Sequence, residues 1–194
     1  MKSSSTANRV QVHLANEAVR VFTRRGHDWT NRFRKVADDA WHVKANAAII
    51  DGEIVVPAAD GTTDFSVLQN ELKGASTKIV LVAFDLLYLN GRDLRKVPLF
   101  QRKAVLKKII TGSDVPFSES FEIDGREMFT HACKVGLEGV VSKVRDSVYG
   151  SGRGSPAAGS LSLLSVSRRS EDAAVLLPAL RQPGALRGCP PSRC

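Results

Sequence analysis

A mixed α+β domain is predicted over residues 9–154, and three observations predict it. Apolar residues switch repeatedly between a spacing of two and a spacing of about 3.6, which marks strands interleaved with helices and excludes a bundle or a pure sandwich. With 194 residues, 43% hydrophobic and 25% charged, the chain has material for one core and little for a second. The composition then breaks near Gly154: Ser, Ala, Pro and Gly fill 21 of the last 40 positions, no aromatic occurs there, and no lysine follows Lys143. Such a segment buries too little apolar surface to offset its ordering entropy, so 155–194 reads as a mostly disordered tail or as translation in a shifted frame. Its one apolar stretch, SLSLLSV at 160–166, has the pattern for a short strand or helix, and the prolines at 178, 183, 190 and 191 argue against a long element.

The elements follow in order. RVQVHL (9–14) alternates, ANEA turns, and VRVFT (19–23) alternates again, giving a hairpin. In DWTNRFRKVADDAW (28–41), Trp29, Phe33, Val36 and Ala40 recur at helical spacing, with Asp28 as N-cap. AAIIDGEIVV (47–56) reads as a strand pair with apolar arms either side of Asp51 and Gly52. DFSVLQNELKG (64–74) reads as a short helix ended by Gly74. KIVLVAFDLLYLNGRDL (78–94) is a buried strand running into an Asn-Gly turn, and PLFQRKAVLKKII (98–110) a basic amphipathic helix. A strand at 116–123, a helix at 125–136 and a strand at 138–144 complete the series.

Composition narrows the chemistry. Three cysteines, Cys133, Cys189 and Cys194, form neither an even disulfide framework nor a paired zinc spacing, and Cys133 reads as a buried apolar filler. No apolar run of about 18 residues exists to span a bilayer, and the start lacks a secretory h-region. The net charge of +8 points to an anionic partner, but half of it lies outside 9–154. His13, His27, His42 and His131 have no metal or triad spacing.

Four features sit where chemistry can occur, each with a plain alternative. Arg24 and Arg25 end a strand beside Gly26, either gripping phosphate or forming a solvated basic turn. Glu53, after Asp-Gly, either accepts bonds from a ribose or is exposed after a tight turn. Glu138 opens a strand with Lys143 nearby, either holding Mg²⁺ against phosphate or forming a surface ion pair. Phe84 is either a core aromatic or a stacking face for a base.

FTRRGHDWTNRF (22–33), AIIDGEIVV (48–56), VAFDLLYLNGRDL (82–94), EGVVSK (138–143) and RDSVYGSGRG (145–154), in this order and spacing, resemble the nucleotidyltransferase (adenylation) domain of ATP-dependent DNA ligases, with likeness to the bacterial ligase D type of end joining. The resemblance implies an ATP-grasp-like α+β nucleotidyltransferase fold of antiparallel sheets flanked by helices. It also implies a reaction in which a lysine takes AMP from ATP and passes it to a 5′-phosphate at a DNA nick, with Mg²⁺ offsetting charge. On that resemblance Arg9 contacts the nucleotide, Arg24 the ribose or phosphate and the nick, Glu53 the ribose, Phe84 stacks on adenine, Glu138 serves the metal, and Lys143 belongs to the Glu138 motif. The related mRNA-capping guanylyltransferases share this chemistry, but FTRRG and VAFDLLYLNG look like the ligase. The implied partners are ATP, nicked DNA or DNA ends and end-joining proteins, with no membrane, in the bacterial cytoplasm at the nucleoid.

The departures are as specific. If Arg9 closes the family's KxDGxR motif, Ser4 stands at the lysine, Thr6 at the aspartate and Ala7 at the glycine. Lys2 lies two residues out of register, and the family's last lysine motif gives way to the tail. The expectation is a domain incomplete at both ends: a divergent segment 1–8, a partial adenylation domain 9–154 and the tail 155–194. It is weak or inactive as a ligase; the alternative is a non-catalytic nucleotide or nicked-DNA binding remnant using Arg24, Arg25 and the basic helix at 102–108.

Overall fold

The computed structural model describes residues 9–56, 78–121 and 140–150, with short strands at 63–64, 158–161, 172–175 and 180–181. Strands β1 (Arg9–Ala15), β2 (Ala18–Thr23), β3 (Ala47–Val55), β5 (Val80–Leu89) and β6 (Arg92–Asp93) form an antiparallel sheet in the order β2-β1-β3-β5-β6. Both tight hairpins use left-handed backbone: Asn16 and Glu17 join β1 to β2, and Asn90 and Gly91 join β5 to β6.

Alternation gives the sheet two unlike faces. Val10, Val12 and Leu14 of β1 join Ile50, Ile54, Leu81 and Leu86 in the core. Helix α1 (Arg34–Ala40) covers that core with Val36 and Ala40, preceded by Phe33, and helix α2 (Leu99–Ile110) adds Leu106, Ile109 and Ile110. Arg9, Gln11 and His13 alternate with the buried valines and face the other way.

Four expectations are corrected. Residues 47–55 are one strand, not a pair turning at Asp51 and Gly52: β1 pairs along 47–53 without a break. Gly52 is there for closeness rather than for a turn, since a Cβ would lie 2.6 Å from Leu81 Cδ1 and 2.8 Å from the Val82 carbonyl oxygen. Helix α1 is shorter than 28–41 and Asp28 does not cap it. Asp28 Oδ1 accepts the Thr30 N–H at 2.9 Å, and Asp28 bridges to Phe22, so this stretch hydrogen-bonds locally and to β2 instead of entering a helix. The strand at 116–123 reduces, among the described residues, to β7 (Ser120–Phe121) and a parallel bridge from Phe117 to Ala83. The basic helix shows only Lys107 and Lys108 of its cations to solvent, because Arg102 and Lys103 are buried.

Strand β8 (Val140–Val144) lies in a second sheet, β7-β10-β8-β9, where β9 (Ala158–Leu161) and β10 (Asp172–Val175) come from the tail. A third pairing joins β11 (Leu180–Arg181) to β4 (Thr63–Asp64) in parallel. Among the described residues the tail contributes three short strands, whose ladder bonds use backbone groups and so need no apolar composition. The helices expected at 64–74 and 125–136, and Cys133, lie outside the described residues.

Candidate functional site

The polar face of the first sheet is shaped by two bulges in β5. Ile49 pairs with Tyr88 and Ile50 with Leu86, leaving Leu87 as the extra residue; Asp51 pairs with Asp85 and Gly52 with Ala83, leaving Phe84. A bulge re-aims the side chain it carries. The Phe84 ring, 4% exposed, has Arg9 Cζ 5.3 Å and Lys143 Nζ 4.6 Å from its centroid. Two cations from different sheets therefore lie over one aromatic ring.

Arg9 is held from the other side by Asp51. Its Nε donates to Asp51 Oδ1 at 2.9 Å, and its Nη2 donates to Oδ2. Tyr149 Oη donates to the same Oδ2 at 3.1 Å. Asp51 is fully buried, so its charge must be met by these donors, and its carboxylate in turn raises the guanidinium's proton affinity. Glu53, opposite Arg9 across the strands, is also buried; desolvation pushes its carboxyl up to about 7, with Arg9 pulling the other way.

Asp85 and Arg102 make a buried bidentate pair: Arg102 Nε donates to Oδ1 at 2.8 Å and Nη2 to Oδ2 at 2.9 Å. The remaining Arg102 Nη1 donates to the carbonyls of Val97 and of Ser147. Lys103 Nζ donates to the Ser118 carbonyl at 2.7 Å, and burial, with Lys143 nearby, pushes its ammonium down to about 8.

Of the residues singled out in the sequence, Arg9, Glu53, Phe84 and Lys143 converge here. Glu53 is not the exposed carboxylate that a tight turn would leave, because no turn exists at 51–52. Arg24 and Arg25 are exposed in the turn after β2; Thr23 pairs with Val10, so they emerge at the sheet end that bears Arg9. Lys2, Ser4 and Glu138 lie outside the described residues. Sequence reasoning missed Asp51, Asp85, Arg102 and Tyr149. A signal was present, since an aspartate inside an apolar strand run has to be paired.

No group of three or more His, Cys, Asp or Glu side chains among the described residues is disposed to hold a metal. No described helix is long and apolar enough to cross a membrane. A 500 Å³ cleft beside α1, lined by Glu17, Arg34 and Trp41 among others, shares no residue with the Phe84 cluster.

The family profile described as ATP dependent DNA ligase domain matches residues 7–157. The chain belongs to this ligase family. This ligase domain is 38% identical over 149 residues to the multifunctional non-homologous end joining protein LigD of Pseudomonas aeruginosa, covering 75% of the chain and 18% of that protein. It is 34% identical over 145 residues to the corresponding end joining DNA repair protein LigD of Mycobacterium tuberculosis, covering 75% and 19%. The crystal structure of the ligase domain from M. tuberculosis LigD superposes with a TM-score of 0.69 at 32% identity, over 80% of this chain and 51% of that one. A mycobacterial DNA ligase D complexed with ATP and MES gives 0.68 at 32%, over 78% and 50%. The chain thus spans about a fifth of the length of those curated relatives and about half of the solved ligase chains. Its α+β sheets and helices match the fold the sequence motifs imply.

One pH dependence follows from Glu53. Its carboxyl keeps a proton up to about 7 in the folded ligase domain but only to 4.5 unfolded, so folding takes up a proton between those values. Stability is then fully present below 4.5 and falls as pH rises through 7. Glu53→Gln is expected to flatten that decline, checked by urea unfolding at about pH 5 and about pH 8. An unchanged slope means that Glu53 is ionised throughout.

Proposed function

We propose that this chain is the nucleotide-binding part of an ATP-dependent DNA ligase adenylation domain of the bacterial end-joining type, binding ATP on the polar face of the first sheet. The convergence of Arg9, Glu53 and Lys143 around Phe84 carries the reading. Adenine stacks on Phe84 in place of one of the cations now over its ring, Glu53 meets the ribose, and Arg9 and Lys143 meet the phosphates. Arg24 and Arg25, exposed at the same end, meet the phosphate of nicked DNA. Non-homologous end joining, named for the relatives, supplies the setting: the bacterial cytoplasm, at the nucleoid.

Mg²⁺ fits only as a cation held chiefly by the nucleotide's own phosphates. Among the described residues Asp51 and Asp85 already accept from Arg9, Tyr149 and Arg102, which leaves Glu138 as the carboxylate proposed for it. The metal would neutralise phosphate charge. The domain division 1–8, 9–154 and 155–194 is part of the proposal. With Ser4 at the position of the attacking lysine, the chain binds ATP without forming lysyl-AMP.

Equilibrium dialysis with ATP, with and without Mg²⁺, tests the reading. Wild type is expected to bind, and Phe84→Ala to bind about five- to 150-fold more weakly, since stacking on an aromatic ring contributes about 1–3 kcal/mol. Absence of ATP binding by a folded wild-type chain defeats the proposal. Intact mass after incubation with ATP should show no AMP adduct; an adduct lost in Lys2→Ala makes Lys2 the nucleophile and overturns the register drawn from Arg9.

A further inference from the structure

Residues 145–149 form a strap from the end of β8 to the polar face, and the strap is bolted to the start of α2. Pro98 offers that helix no side-chain cap. Instead, the Leu99 N–H donates to the Ser147 carbonyl at 3.0 Å and the Phe100 N–H to the Arg145 carbonyl at 3.1 Å. Arg102 Nη1 reaches the same Ser147 carbonyl at 3.2 Å, and the Tyr149 N–H donates to the Arg95 carbonyl at 2.8 Å. With its backbone fixed at both ends, the strap delivers one side chain to the sheet, Tyr149, whose hydroxyl donates to Asp51 Oδ2. Gln11 Nε2 approaches that hydroxyl at 3.5 Å.

We infer that Tyr149 is a positioning residue that acts through Asp51 to hold the Arg9 guanidinium in place over Phe84. Asp51 Oδ2 is the shared acceptor of Tyr149 and Arg9, so the phenol sets where that oxygen lies and thereby where Arg9 Nη2 points. Arg9 is half-buried at the first residue of β1, and the two bonds to Asp51 are what fix the direction of its guanidinium. A carboxylate locked from behind by a phenol is a stiffer anchor than one free to rotate, and a side chain held by its neighbours loses less freedom when a ligand arrives. The strap also explains why a segment remote in sequence from Arg9 carries a tyrosine: its backbone is positioned by α2, so the same helix that buries Asp85 orients Arg9.

The test is a double-mutant cycle with Tyr149→Phe and Arg9→Ala, read by ATP affinity and by the exchange rate of the Arg9 Nε–H in proton–nitrogen spectra. Tyr149→Phe keeps the ring and removes only the donor. It is expected to weaken ATP binding about five- to tenfold in the wild-type background and not at all in the Arg9→Ala background, and to speed Arg9 Nε–H exchange. Equal losses in both backgrounds, or no loss in either, overturn the inference, as does an unchanged exchange rate. The ATP arm rests on the nucleotide-binding reading and the exchange arm does not. A wild-type chain that fails to bind ATP therefore defeats that reading alone, while the exchange rate still decides the role of Tyr149.

Discussion

Arg102→Ala is expected to cost about 3–5 kcal/mol of stability, the range for removing one partner of a buried ion pair. Arg102 and Asp85 are each 2% exposed and bonded fork to fork. Without the guanidinium, a carboxylate in the middle of β5 is left in the interior, where it must either remain charged without compensation or take up a proton. The carbonyls of Val97 and Ser147 lose their shared donor as well, so the strap and the start of α2 loosen with it. Total stabilities of domains lie around 5–15 kcal/mol, so this one change removes a large share. Arg102→Lys should recover only part, because an ammonium cannot make two parallel bonds to one carboxylate. Urea unfolding of the three chains checks this. A loss under about 1 kcal/mol for Arg102→Ala means that water reaches Asp85 and that the pair is not the anchor described here.

The second large effect is a gain. The triple change Ser4→Lys, Thr6→Asp and Ala7→Gly writes KxDGxR in register with Arg9. It is expected to raise AMP-adduct formation by several orders of magnitude over a background near zero, because an attacking amine is supplied where the nucleotide face already exists. The readout is the intact mass after incubation with ATP and Mg²⁺. Ser4→Lys alone should give less, since the glycine and aspartate shape the approach of the amine. If ATP binds but the triple variant forms no adduct, supplying KxDGxR in register with Arg9 is not sufficient, and the expected gain is refuted.

The strand runs and the second helix were legible because their causes are local. RVQVHL and VRVFT alternate, Asn90-Gly91 demands left-handed backbone, and Leu99, Leu106 and Ile110 recur on one side of α2. The errors fell where the competing causes are tertiary. Asp51-Gly52 has the composition of a hairpin turn, yet β1 pairs straight through it and Leu81 and Val82 press against the glycine. Trp29 and Phe33 sit at helical spacing, yet Asp28 and Thr30 bond to each other and to β2. Three lysines and an arginine made α2 look like a surface for anions, while two of those cations are buried against Asp85 and Ser118.

The candidate site divides in the same way. Phe84, Glu53, Arg9 and Lys143 could be named from motifs in order along the chain, since motif spacing is a property of sequence. By itself the sequence determined the first hairpin, the long strand β5, helix α2, the ligase family and the absence of KxDG in register with Arg9. Only the tertiary structure decided that a bulge turns Phe84 out of its strand and that Asp51 is shared by Arg9 and Tyr149. It alone decided that Asp85 is neutralised by a helix residue 17 positions away. The physical reason is that a buried charge selects its partners by distance in space, and no periodicity along the chain encodes which donor will arrive there.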